Sequence, residues 1–132
     1  MMNTLPEAYT ISFDEQQGYV VMNWNGYATN RQFREGTELM LNVLIKHNAS
    51  KVLGDIRDMV IIGMEDQQWL ERDFLPRAIK FGFKAFAILK PTAHFNRVAV
   101  ESVSFKVDKE KLLISFFDDI DEAKDWLVKI QS

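Results

Sequence analysis

The chain has 132 residues, 47% hydrophobic and 27% charged, with a formal net charge of -3 and no cysteine. That length suits a single domain over residues 1–132, able to bury roughly two thirds of the surface its unfolded form exposes. Without cysteine there is no disulfide, thiolate metal site or cysteine nucleophile. Lysines and arginines scattered along a mildly acidic chain leave no electrostatic footprint for nucleic acid.

No stretch approaches the ~20 apolar residues of a transmembrane helix, and the first ten residues have neither the basic nor the apolar region of a signal peptide, so a cytoplasmic location is expected. Asn48-Ala49-Ser50 matches a glycosylation sequon and, with no secretion signal, is read as coincidence. In chain order, Ala8 to Phe13 and Tyr19 to Trp24 are β-rich runs separated by a polar stretch ending at Gly18, which predicts a hairpin. Tyr9, Ile11 and Phe13 alternate with Thr10 and Ser12, the pattern of a strand with one solvated face at a sheet edge. Asn25-Gly26 is a turn signal, and Thr29 is an N-cap candidate for the next element. From Asn30 to Lys46, Phe33, Met40, Leu41, Val43 and Leu44 recur at helical spacing, with Arg34, Glu35, Glu38 and Asn42 elsewhere around the helix. His47 and Asn48 suit its end, where a left-handed residue is common.

Lys51 to Phe83 reads as strand, loop, helix. Val52, Leu53 and Ile56 make a buried strand, and Trp69, Leu70, Phe74, Ala78 and Phe81 recur at helical spacing. Pro76 breaks the pattern, so two helical pieces are expected, with Asp73 capping the second. Gly82 is a helix stop, and Ala85 to Leu89 is a strand closed by Pro91. Thr92 to Val107 carries both signals: β-branched residues that would pair with Leu112 to Phe117 as a hairpin, and a weak helical stripe. Helix is favoured because the pattern alternates strand and helix. Leu112 to Phe117 is the last strand, and Asp119 to Glu122 opens a terminal helix with Ile120, Ala123, Leu127 and Ile130 on one face. The expected fold is α/β, a five-stranded mixed, mostly parallel sheet in the order β-β-α-β-α-β-α-β-α. Val52, Leu53, Ala87, Ile88, Ile114, Leu44, Trp69 and Leu127 are the expected core.

Three stretches carry a family resemblance: V-L-x-D-I from Val52 to Ile56, W-L-x-x-x-x-L-P from Trp69 to Pro76, and F-F-D-D-I-D-E-A-K-D-W-L from Phe116 to Leu127. Over nearly the whole chain the sequence resembles the SpoIIAA-like (STAS-like) proteins, relatives of the sulfate-transporter and anti-sigma-factor-antagonist domains. The resemblance implies a five-stranded sheet with helices, a role in docking on partner proteins, and no shared catalytic residue. It also implies a phosphorylatable serine or threonine after the central strand. This chain departs there, with no hydroxyl residue between Ser50 and Thr92. The expected position falls near Gly63-Met64-Glu65-Asp66.

Other chemistry finds little support. Glu65 with Asp66 and Asp118 with Asp119 are paired carboxylates, better read as helix-start acids than as acid–base or metal groups. His47 and His94 are too few for a histidine metal cluster, and no nucleophile elbow or phosphate-binding glycine loop occurs. No catalytic, metal-ligating or cofactor-binding residue is assigned. Trp24, Tyr27, Trp69 and Trp126 suit a core, and Val60-Ile61-Ile62 is expected to pack inward.

In an open α/β sheet, sites form where strands end and helices begin. With the role that the resemblance implies, the expected function is a non-enzymatic, regulatory protein-interaction module placed there. It would dock a protein partner through Arg57, Asp58, Ile61, Glu65, Asp66 and Trp69, with Glu65 and Asp66 supplying a permanent negative charge. The alternative is a carrier or sensor of a small apolar ligand or lipid, held in a cavity lined by Trp24, Trp69 and Phe95. The sequence leaves a homo-oligomer open.

Overall fold

The computed structural model describes residues 8–60, 63–92 and 94–130, the last stretch by backbone alone at residues 94–96. Strands β1 (Tyr9–Asp14) and β2 (Tyr19–Gly26) form the expected antiparallel hairpin, with Tyr9 opposite Trp24 and Asp14 opposite Tyr19. Its turn is held by Asp14, whose Oδ1 accepts from the backbone N–H groups of Gln16 and Gln17. Strands β3 (Lys51–Met59), β4 (Ala85–Leu89) and β5 (Leu113–Phe117) follow in parallel, and the sheet order β1-β2-β3-β4-β5 repeats the chain order. Two strands run longer than their apolar runs suggest. β2 continues through Asn25 and Gly26, and β3 through Arg57 and Asp58, because a bulge opposite Trp24 lets the two keep pairing to Gly26 and Met59.

Helix α1 (Asn30–Lys46) starts in a reciprocal capping box: the Thr29 hydroxyl accepts from Gln32 N–H, and the Gln32 side chain accepts from Thr29 N–H. It stops at Asn48, which takes the left-handed conformation at φ 52°. After β3 the helical path is continuous, through α2 (Met64–Trp69), a π turn (Leu70–Phe74) and α3 (Leu75–Lys80). Pro76 explains the wide turn. Lacking an N–H, and with a ring that crowds the preceding turn, it cannot extend a regular helix. The chain widens instead, so that Leu75 N–H reaches back five residues to Leu70 C=O. Asp73 is therefore not a cap; it pairs with Arg77 at 3.4 Å.

Residues 94–105 form helix α4 (His94–Phe105), so the helical stripe outweighs the β-branched residues and the competing hairpin reading falls. The reason is topological: β4 and β5 are parallel, and a parallel pair needs a crossover rather than a tight turn. Helix α5 (Ile120–Lys129) starts at Asp119, whose Oδ2 accepts from Glu122 N–H.

The sheet buries two separate cores. On one face Val20, Met22, Trp24, Val52, Ile56 and Ile88 meet α1, the α2–α3 path and α4. On the other, Leu53, Ala85, Ala87 and Leu89 meet Ala123 and Leu127 of α5. Of the expected core, Val52, Leu53, Ala87, Ile88, Leu44 and Leu127 are buried, whereas Ile114 and Trp69 are only half-buried. Two glycines set the close approaches. A Cβ on Gly36 of α1 would sit 2.7 Å from Trp24 and 2.8 Å from Tyr9, and one on Gly54 of β3 would sit 2.6 Å from Phe86.

Candidate functional site

The end of the sheet where β2 and β3 stop is assembled from neighbouring segments. Val60 N–H donates to Gly26 C=O at 3.0 Å, which carries the β2–β3 pairing one residue past the strands. Asn30 Nδ2 then donates to Glu65 Oε2 at 3.0 Å, tying the start of α1 to the start of α2. Around this end Tyr27, Val60 and Met64 are 66%, 46% and 67% exposed. The exposed carboxylates of Asp58 and Glu65 belong to the same end. Val60 thus faces solvent rather than packing inward as expected; Ile61 and Ile62 lie outside the described residues.

The five expected docking residues within the described stretches do not share one exposed surface. Arg57 turns to the α5 face of the sheet, where its Nε and Nη2 grip Asp55 at 3.0 and 2.8 Å. Burial alone would raise the Asp55 carboxyl. Hydrogen bonds from the Arg57 side chain and backbone, and the guanidinium charge, outweigh it and hold the group below its ordinary value. Asp58 and Glu65 are exposed on the rim, and Ile61 is outside the described residues. Asp66 is buried, at 4% exposure, and accepts from Arg34 Nε at 3.2 Å. There burial prevails over the hydrogen bond and charge of Arg34, so the carboxyl is pushed up. The Arg34 guanidinium also lies 5.3 Å from the Trp69 ring. Neither Glu65 nor Asp66 caps α2, whose N-cap is Gly63 with no side-chain bond. Asp66 belongs to the packing of α2 on α1, not to an exposed negative charge.

That packing is a polar seam which the sequence reading missed. Asn30, Arg34 and Glu38, spaced four apart on α1, meet Glu65, Asp66 and Arg77 in turn. The last pair is bidentate, with Arg77 Nη1 and Nη2 at 2.7 and 2.5 Å from the two Glu38 oxygens. The four-residue spacing was the signal available: it places three polar side chains in one row beside the apolar stripe.

Beneath the seam, between the sheet and α1, α2, the π turn and α4, lies an apolar cavity of about 90 Å³. Trp24 lines it, with Met22, Met40, Met59, Phe74 and Val103. Trp69 does not: it turns outward to a shallow groove with Tyr9, Arg34 and Leu39. The side chains of His94 and Phe95 lie outside the description. Among the cavity's polar lining residues, Thr37 donates its hydroxyl to Phe33 C=O at 2.7 Å, inside its own helix, and Gln67 and Ser104 lie toward the surface.

Among the described residues no group of three or more histidines and carboxylates could hold a metal ion, and no helix is long and apolar enough to cross a membrane.

No protein-family model and no curated protein matches the chain. Solved structures do. An uncharacterized protein of the DUF3478 family with a SpoIIAA-like fold, from Shewanella loihica PV-4, superposes at a TM-score of 0.65 with 20% identity, covering 96% of this chain and 99% of that one. An anti-sigma factor antagonist from Mycobacterium paratuberculosis superposes at 0.59 with 9% identity, covering 95% and 98%. The five-stranded mixed sheet, its antiparallel first pair and its helices therefore make this chain a SpoIIAA-like fold.

Proposed function

We propose that the chain is a non-enzymatic regulatory module that docks a protein partner through the rim at the end of β2 and β3. One observation carries this reading: Tyr27, Val60 and Met64 leave apolar side chains in solvent beside the carboxylates of Asp58 and Glu65. Large apolar side chains grouped at one end and rimmed by charge mark interaction surfaces. The complementary partner presents an apolar patch flanked by lysine or arginine. The likeness to an anti-sigma factor antagonist, a protein named for acting against another protein, supports the same class of role. With no hydroxyl residue between Ser50 and Thr92, the carboxylates of Asp58 and Glu65 give the segment after β3 a permanent negative charge, with no serine or threonine within it to phosphorylate. Of the residues first expected to dock, Asp58 and Glu65 make contact in this reading. Asp66 and Trp69 hold α2 in place, and Arg57 braces the other face.

The test is a partner identified by mass spectrometry after crosslinking in its native source, then measured against purified variants. Met64→Asp and Glu65→Lys should each weaken its binding at least about tenfold while circular dichroism stays native. Unchanged affinity in the folded double variant rejects the rim as the docking face. Native mass spectrometry of the same sample separates a foreign partner from a second copy of the chain.

A second reading, a carrier or sensor of a small apolar ligand, is favoured by the 90 Å³ cavity. The two readings are compatible, because cavity and rim share none of the described residues.

A further inference from the structure

Resting on the second reading, we propose that the cavity holds the methyl end of an alkyl chain. The chain enters between the α2–π segment and α4 and leaves an uncharged hydrogen-bonding head at Gln67 and Ser104. The wall defines the tail. Apart from Thr37, Gln67 and Ser104, every described lining residue is apolar, and the Thr37 hydroxyl is already spent on Phe33 C=O. A polar or charged group pushed inside would leave its water behind and find no partner. A cavity of this kind stays dry and accepts apolar guests.

Size and plasticity narrow the class. The volume of about 90 Å³ corresponds to roughly three water-sized groups at about 30 Å³ each. That is too little for a whole lipid or a fused-ring system and enough for the last few carbons of a chain. Three of the chain's six methionines, Met22, Met40 and Met59, line the void. Unbranched thioethers rearrange around guests of varying shape more easily than branched side chains do.

Exposure locates the mouth. Met22, Met40, Met59, Phe74 and Phe83 are buried, whereas Gln67 and Leu70 on one side and Val100 and Ser104 on the other are each partly exposed. Across the same gap Lys106 Nζ, just past the end of α4, meets Glu71 Oε2 of the π turn at 3.2 Å, its charge already compensated. The described polar lining at this mouth is an amide and a hydroxyl, beside that compensated ion pair. The π turn shapes this wall, since Leu70 and Phe74 at its two ends both face the void.

The experiment titrates the full chain, labelled at its methionine methyls, with straight-chain primary alcohols from propanol to octanol. Expected are saturable shifts at Met22, Met40 and Met59, affinity rising about fourfold per added carbon for the shorter members and then levelling as the cavity fills. The alkylammonium ion of equal length should bind at least about tenfold more weakly. Ala99→Leu, which fills the void from α4, should abolish the shifts; if it does not fold, Val100→Trp at the mouth should weaken the alcohols at least about tenfold. Shifts with benzene or xenon but no dependence on alcohol length overturn the alkyl-chain inference and leave the ligand reading standing. No saturable shift with any of these probes overturns both. Alcohol affinity unchanged in a folded Ala99→Leu or Val100→Trp variant places the guest elsewhere and also overturns the inference.

Discussion

On the α5 face of the sheet, apart from the buried Tyr19 and the half-buried Phe117–Trp126 ring pair, small and branched side chains interlock: Ala85, Ala87 and Ala123 bring helix and strands together, and Leu53, Leu89 and Leu127 fill between them. On the opposite face the layer is built from Trp24, Phe33, Phe74, Phe83 and three methionines under three separate helical segments, and a cavity remains. Small side chains let one helix settle at close range. Large ones from several elements set their own separations and cannot all be satisfied at once. One face has the packing of a structural floor, and the other has room for a guest.

The largest test of that contrast is truncation. Leu127→Ala, at a fully buried position of α5, should destabilise by about 3 to 5 kcal/mol, toward the upper end for such changes. Met40→Ala, which borders an existing void, should lose about 2 to 3 kcal/mol because that side chain already lacks partners on one side. Urea unfolding of both variants gives the order. The reverse order would mean that the void closes in solution.

A smaller effect separates the two close-packed glycines. Gly36→Ala pushes a methyl against the Trp24 and Tyr9 rings. It should lose about 1 to 2 kcal/mol despite the helix preference of alanine. Gly54→Ala meets Phe86, a ring that itself lines the void and can turn into it, so its loss should be below about 1 kcal/mol. Equal losses in thermal unfolding would show that Phe86 cannot use the space.

The smallest effect is in pH. Asp55 faces α5 and Asp66 the other side, and their titrations oppose each other. For Asp55 the folded value lies below the ordinary 3.8. Its stabilisation is full above 3.8 and is lost as pH falls through the folded value. For Asp66 the folded value lies above 3.8, so the folded state holds that proton more tightly and stability at this site declines as pH rises from 3.8 through the folded value. Asp55→Asn should remove part of the acid loss, and Asp66→Asn part of the decline above it, each by at most about 1 kcal/mol because both arginine partners are substantially exposed. Denaturant melts across the acid range read both signs, and a shared sign would refute the assignment.

Element types were legible where one periodicity dominated. The alternation in β1, the stripe of α1 and the capping acids of α5 each sat beside an unambiguous boundary residue: Gly18, Thr29 and Asp119. Residues 94–105 were harder, because valines suited to a strand lie on a helical stripe, and only the parallel partner strand decides between them. The site was the least legible part. Glu65 and Asp66 are adjacent and chemically alike, yet one is exposed and the other buried against Arg34, thirty-two residues away in the chain. No local pattern reveals which way a neighbour turns. Tyr27, expected in the core, is exposed instead, Met64 drew no notice beside the acids that follow it, and the cavity escaped because a void is a property of many side chains together.

The sheet's order, the same as the chain's, bears on where this protein can hold a small molecule. Doubly wound sheets reverse their strand order part-way, and the helices on either side of that reversal part to leave the crevice in which nucleotides bind. A sheet that only ever advances has no such reversal. Each crossover lays its helix beside the last on one face, with no parting between them at a strand reversal. The proposed guest then has to sit in the layer itself, between helices and sheet, where the space is shielded, apolar and limited by how far the helices can lift.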